Sequence, residues 1–110
     1  ENAKMHAIVE DVVEASHNGI ISWEVKSNIQ PILLQGKDDY EKTKERWIIF
    51  EEYFNENSIK FKKITSIEGD IISKLVNLIY ILDYASIYLA VINKIDPTPV
   101  YSIDYIKKRL

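Results

Sequence analysis

Two residues near the start of the sequence could move protons, Glu1 and His17. An imidazole titrates near neutrality, so His17 could pass a proton between two oxygen atoms. A carboxylate in a partly desolvated site is basic enough to remove a proton beside a carbonyl group. The residues alone favour a plainer interpretation. A glutamate at the start of a helix complements the helix dipole, and a histidine in an Asn-Gly turn is an ordinary surface residue.

Other sites of known chemistry have no counterpart in the sequence. It has no glycine-rich phosphate loop, no paired histidines at metal-ligand spacing and no nucleophile elbow. His6 is expected to be an exposed helical residue without a catalytic role. These chemistries can therefore be set aside.

Composition is that of one compact domain. The chain has 110 residues, is 46% hydrophobic and carries a net charge of -3. It contains no cysteine, so a disulfide framework is excluded, and no signal-peptide pattern is seen, so we expect a cytoplasmic protein. The acidic balance argues against nucleic-acid binding. We interpret residues 1–110 as a piece of a longer chain, because the sequence opens directly in helix-forming residues.

An apolar run at residues 75–92 is long enough to suggest a membrane helix. Asn77, Asp83 and Ser86 interrupt it, and a carboxylate near the bilayer centre costs about 2.5 kcal/mol or more. We therefore expect no membrane contact and predict a helix that is buried on most faces inside a globular core.

The remaining pattern alternates helices with short strands. Residues 2–15 are predicted to be a helix with one apolar face, formed by Met5, Ile8, Val9 and Val12, and Glu1 would point along that face. Asn18 and Gly19 would end this helix in the left-handed conformation.

Further along the chain, residues 19–25 are predicted to be extended, residues 29–36 a buried strand and residues 58–64 an edge strand. A helix over residues 38–57 would lie between the strands and bury Tyr40, Trp47, Phe50 and Phe54. Strands joined by helices of this length favour an α/β fold with a parallel sheet.

Two more helices complete the prediction. The long helix would cover residues 68–93 after the capping sequence TSIE. A last helix would begin at Thr98 and Pro99, with Thr98 as its N-cap. Lys107 and Lys108 would lie near its C-terminus, where cations complement the helix dipole.

Three blocks of sequence together resemble a known family. They are ENAK at residues 1–4, E..HN.I..WE at residues 14–24, and the tail from Leu78 onward, which contains D..S.YLA and DPTPV. They are similar to the C-terminal part of the bifunctional phosphoglucose/phosphomannose isomerases, which belong to the sugar isomerase (SIS) superfamily. Residues 28–66 match only in their strand and helix pattern.

The resemblance implies a three-layer SIS-type domain, with residues 1–110 as the C-terminal part of the second of two such domains. It implies isomerisation of glucose 6-phosphate or mannose 6-phosphate to fructose 6-phosphate through a cis-enediol, in glycolysis and gluconeogenesis, without metal or cofactor. Glu1 would be the base at C1 and C2. His17 would open the sugar ring in the neighbouring subunit of a homodimer. Thr98 and Lys107 would contact the sugar phosphate.

The chain departs from the family pattern at two positions. Gly19 stands where an acidic residue is usual, and Lys94 where a glycine is common. The phosphate-binding Ser/Thr loop and the arginine that stabilises the enediolate belong to parts of the family that residues 1–110 lack. We therefore expect this piece alone to be inactive.

Two other functions stay open at this point. One is a non-catalytic SIS module that binds a sugar phosphate and regulates a partner. The other is a dimerisation surface built on Tyr80, Tyr84 and Tyr88. Glu1 and His17 distinguish an isomerase from a sensor, because a sensor needs neither residue whereas an isomerase needs both.

Overall fold

The computed structural model describes residues 2–25 and 28–110. The helices are α1 (Val12–Ala15), a 3₁₀ helix (Gly19–Glu24), α2 (Glu41–Glu56), α3 (Ile71–Ile92) and α4 (Tyr101–Lys107). The strands are β1 (Ile32–Gln35) and β2 (Lys62–Thr65). Contacts divide the chain into two units, Ile8–Leu78 and Glu1–Ala7 with Ile79–Leu110.

The two strands pair in parallel. Ile32 lies opposite Lys62, and Gln35 lies opposite Thr65. A parallel pair requires a crossover between the end of the first strand and the start of the second, and α2 provides it. The predicted α/β class with a parallel sheet is therefore confirmed.

The core of this first unit forms around α2. Leu33 of β1 is buried with Phe50 and Phe54 of α2. The Phe54 ring packs at 5.1 Å from Phe50 and at 5.3 Å from Trp23, measured between ring centroids. Trp23 comes from the 3₁₀ helix, so the same aromatic cluster holds the segment that follows His17.

The predicted apolar face of α2 is confirmed in its C-terminal half and wrong at its start. Phe54 is 1% exposed, whereas Tyr40 is 74% exposed. The reason is that Tyr40 is the N-cap residue, with extended backbone at φ -55° and ψ 143°. Its side chain therefore leaves the helical face that the spacing assigns to it.

The first predicted helix is wrong over most of its length. Helical structure covers only Val12–Ala15, because Asp11 caps it by accepting hydrogen bonds from the Val13 and Glu14 amides at 2.9 and 3.1 Å. Before that cap the chain is irregular, and Ile8 and Val9 are more than four-fifths exposed. The apolar face that was expected to carry Glu1 does not exist in residues 2–11.

The turn after α1 also differs from the prediction. Asn18 has φ -95° and ψ -42°, which is right-handed. The chain continues directly into the 3₁₀ helix, so no left-handed cap ends α1 and residues 19–24 are not extended.

The long helix has its predicted position but a different cap. Ser66, in the TSIE sequence, is buried and accepts a hydrogen bond from the Lys37 amide at 3.1 Å. Asp70 instead caps α3, because its carboxylate accepts a hydrogen bond from the Ser73 amide at 2.8 Å.

The prediction that α3 is buried on most faces is wrong. Ala90 is the residue of this helix that is buried, and Ile72, Val76 and Tyr88 are all more than half exposed. A helix of 22 residues is about 33 Å long, whereas each four-residue strand extends about 13 Å, so a sheet this short cannot cover it. By length and composition α3 could cross a membrane, which is weak evidence for a single helix.

The C-terminus of α3 is closed by a left-handed residue. Lys94 has φ +56°, and its amide donates to the Val91 carbonyl at 3.0 Å. The next amide, of Ile95, donates to the Ala90 carbonyl at 2.8 Å. This pair of bonds defines a Schellman motif, in which glycine is the preferred residue. The expected glycine at position 94 therefore has a physical basis, and Lys94 carries the steric cost of its Cβ.

Replacement of Phe54 tests the aromatic core. Phe54→Ala should lower the free energy of unfolding by about 3–5 kcal/mol, because a ring that is fully buried leaves a cavity. Tyr40→Ala, from the same predicted face, should change it by no more than about 0.5 kcal/mol. Thermal unfolding of the full-length protein measures both. Equal losses in the two variants would contradict the core described here.

Replacement of Lys94 tests the Schellman turn. Lys94→Gly should stabilise the protein by up to about 1 kcal/mol, since relief of the left-handed strain outweighs the added chain entropy of glycine. Lys94→Val should cost about 1 kcal/mol or more, because β-branched residues avoid positive φ. Lys94→Gln controls for the lost charge and should be neutral. An unfolding temperature that is highest for valine would show that residue 94 is not left-handed.

Candidate functional site

Residues 2–7 belong to the same unit as residues 79–110. Glu1 itself lies outside the described residues. Asn2 donates a hydrogen bond from Nδ2 to Ser86 Oγ of α3 at 2.9 Å, and Ala3 is buried.

Lys4 joins the same segment to the loop before α4. Its ammonium group donates to the Pro97 carbonyl at 3.3 Å and also to the Pro99 carbonyl. These two carbonyls flank Thr98 in sequence. Lys4 has φ +51°, so its backbone takes a conformation that few residues other than glycine adopt.

Thr98 is exposed in the loop over residues 96–99. Its amide donates to Asp96 Oδ1 at 2.9 Å. The pKa of Asp96 is lowered, first by the hydrogen bonds from the Thr98 amide and side chain and to a smaller extent by the positive charge of Lys4. Thr98 was predicted to be the N-cap of the last helix, and this prediction is wrong. The helix begins at Tyr101 after Val100, because two prolines interrupt the preceding backbone.

Lys107 is the last residue of α4 and is exposed. It lines a shallow apolar groove with Ser102, Ile103, Ile106 and Leu110. Among the described residues, Lys107 has no carboxylate within ion-pair distance. Its charge complements the helix dipole and is also accessible to an anionic ligand.

His17 lies in the first unit, in the turn after α1. Its amide donates to the Glu14 carbonyl at 3.0 Å, and the imidazole is exposed. Arg46 of α2 donates to Ser16 Oγ at 2.8 Å, and Asn18 donates to Glu14 Oε1 at 2.8 Å. These bonds fix both neighbours of His17 and leave its ring accessible to a ligand.

The departure at Gly19 has a visible local consequence. The carboxylate of Glu10 occupies the space into which a Cβ at position 19 would project. An acidic side chain at position 19 would displace Glu10, which is the flexible end of an exposed residue. This chain therefore keeps a carboxylate beside the His17 turn, supplied from a different position.

The segment that follows Glu1 lies against the loop that carries Thr98. The segment of residues 2–4 and the loop with Thr98 are in direct contact through Lys4, although more than 90 residues separate them. Sequence reasoning missed Asn2, Lys4 and Asp96, yet all three lie inside the quoted ENAK and DPTPV blocks. Within residues 2–25 and 28–110, no three acidic, histidine or cysteine side chains cluster as a metal site requires.

The aromatic residues of α3 remain accessible. Tyr80 donates to the Tyr84 hydroxyl at 3.3 Å, and their ring centroids are 4.8 Å apart. The hydrogen bond with Tyr84 raises the pKa of Tyr80. Both rings and Tyr88 are exposed.

Comparison with known proteins covers the whole chain. A family model described as the bacterial phospho-glucose isomerase C-terminal SIS domain matches residues 1–110. A bifunctional phosphoglucose/phosphomannose isomerase of Caldicellulosiruptor bescii is 31% identical over 114 residues, which cover 100% of this chain and 34% of that protein. One of the same description from Aquifex aeolicus is 24% identical over 113 residues, covering 100% and 35%.

The chain spans about a third of the length of these curated relatives. No solved structure gives a significant match. The family model, the three sequence blocks and the α/β topology agree with one another. The chain belongs to the family of bacterial phospho-glucose isomerase C-terminal SIS domains.

Proposed function

We propose that the protein containing this chain interconverts glucose 6-phosphate or mannose 6-phosphate with fructose 6-phosphate. The observation that carries the proposal is the match of residues 1–110 to the isomerase family model. Two curated relatives named as bifunctional phosphoglucose/phosphomannose isomerases support both sugars as substrates. The reaction belongs to carbohydrate metabolism, and the protein works in the cytoplasm.

Ring opening is the first chemical step, and we assign it to His17. The sugar ring opens when a proton leaves the anomeric hydroxyl and another reaches the ring oxygen. An imidazole can do both at neutral pH. Exposure of the His17 ring, together with the bonds that hold Ser16 and Asn18, supports this role. The ring would need to reach a site on another part of the assembly.

Proton transfer is the second step, and we assign it to Glu1. The carboxylate removes the proton from C2 of the open aldose, and the carbonyl oxygen at C1 takes the electron pair and a proton to give a cis-enediol. The same carboxyl group then returns the proton to C1, while the hydroxyl at C2 loses its proton and becomes the carbonyl. No net oxidation occurs: one base moves the carbon-bound proton, and the hydroxyl proton lost at O2 balances the one gained at O1.

Thr98 and Lys107 are the proposed sugar-phosphate contacts of this chain. The Asp96 carboxylate holds the Thr98 amide, so the residue is presented on a loop with defined geometry. The Lys107 ammonium group is exposed and could bind phosphate or a sugar hydroxyl. Both residues lie in the unit that contains residues 2–4.

The apolar surface of α3 supports a larger assembly. Soluble proteins rarely leave a contiguous apolar surface of this kind in water. We propose that the N-terminal SIS domain of the same chain and a second subunit cover it, and that the dimer brings His17 to the neighbouring active site. The tyrosines at positions 80, 84 and 88 would then belong to the covered surface.

Replacement of Glu1 tests the assignment of the base. Glu1→Gln in the full-length protein keeps the shape of the side chain but removes its basicity. We expect kcat to fall by about 10²–10⁴ with either aldose, while KM changes little. The measurement is a coupled assay for consumption or formation of fructose 6-phosphate.

Glu52→Gln is the matched control, because Glu52 is an exposed glutamate of α2 that lies outside the proposed site. It should keep kcat within about threefold of the original protein, since it is not assigned to proton transfer. A wild-type dimer that binds sugar phosphate without turnover would contradict the isomerase proposal and support the sensor.

Mixed dimers test whether His17 acts across subunits. Glu1→Gln and His17→Ala homodimers are each expected to be inactive. Co-refolding them in equal amounts should recover about a quarter of the wild-type activity, because half of the dimers are mixed and each has one intact site. Absence of any recovery from verified mixed dimers would place His17 in its own subunit's site, and an active His17→Ala homodimer would place it outside the mechanism.

A further inference from the structure

We infer that Lys4 is a positioning residue that fastens the segment carrying Glu1 to the loop carrying Thr98. The inference rests on the proposed function, because it assigns a role in that reaction to a residue that does not touch the substrate. The direct observation is a pair of hydrogen bonds from the Lys4 ammonium group, one to the Pro97 carbonyl and one to the Pro99 carbonyl.

The two acceptors explain why a lysine suits this position. Pro97 and Pro99 lack amide donors, and their carbonyls lie on either side of Thr98. An ammonium group carries three donors, so it can satisfy both carbonyls at once. Bonds on both sides of Thr98 restrict rotation of its backbone. The Asp96 carboxylate adds a third restraint through the Thr98 amide at 2.9 Å.

The segment of residues 2–4, which Lys4 joins to the Thr98 loop, is also held in place. Asn2 is bound to Ser86 of α3, and Ala3 between them is buried. Lys4 adopts a left-handed backbone at φ +51°, which a lysine keeps only when surrounding contacts hold it there. Lys4 thereby limits the separation of residues 2–4 from Thr98.

Because Lys4 is exposed, its hydrogen bonds are expected to affect the reaction rate more than the stability of the protein. Hydrogen bonds and charge contacts at an exposed site contribute little to global stability. Reaction rate is more sensitive, since a displacement of about 1 Å of a reacting group can reduce it 100-fold. We therefore expect Lys4 to matter for kcat far more than for the unfolding temperature.

The test compares three variants of the full-length protein in the fructose 6-phosphate assay. Lys4→Met removes the donors and keeps the length of the side chain. It should lower kcat about 10- to 100-fold, with KM within about threefold. Lys4→Arg restores donors for both carbonyls and should recover most of kcat. Lys60→Met makes the same charge change at an exposed lysine of the other unit and should keep kcat unchanged.

A second measurement keeps the inference separate from the proposed function. Hydrogen-deuterium exchange should become faster in Lys4→Met for peptides covering residues 2–7 and 96–102, and should be unchanged there in Lys60→Met. If the wild-type protein isomerises no sugar, the proposed function fails, and the exchange pattern still decides whether Lys4 holds the two segments. If exchange stays unchanged, or if an active Lys4→Met enzyme keeps its kcat, the inference is wrong.

Discussion

Parallel pairing of β1 with β2 is the constraint on which the first unit depends. Parallel strands cannot be joined by a tight turn, so the chain must cross over, and α2 forms that crossover. The crossover in turn must bury one face on the sheet, which places Phe54 against Leu33. Because Trp23 packs on the same ring, this core also anchors the segment next to His17. Fold and candidate site are thus linked through a few aromatic contacts.

Elements whose pattern is local were predictable from the sequence. The strand around Leu33, the helix around Phe50 and the long apolar helix all have a periodicity or composition that determines their type. The first helix was mispredicted because Asp11 begins it late, and because Lys4 forms contacts with residues more than 90 positions away. Periodicity in a short window carries no information about such contacts. Burial of α3 was mispredicted because the short sheet of this chain cannot cover it.

The candidate site was predictable only through resemblance. Nothing in the spacing of Glu1, His17, Thr98 and Lys107 requires that they act together. The structure adds the hydrogen bonds of Lys4, which connect the segment after Glu1 to the loop with Thr98. At Lys94 the sequence showed the unusual residue and the structure supplied the reason. Its departure from the usual glycine was visible in the sequence, but the positive φ that explains the glycine is visible only in the fold.

In the proposed reaction, a carboxylate moves the substrate proton through an enediol intermediate. The most direct measurement is isomerisation of fructose 6-phosphate by the full-length protein in D₂O, followed by NMR of the hydrogens at C1 and C2. Transfer through Glu1 predicts that solvent deuterium enters C1 of the ketose and C2 of the aldoses, because a carboxyl proton exchanges with water between its removal and return. Repeated turnover without any deuterium at either carbon would indicate a direct hydride shift and contradict the account.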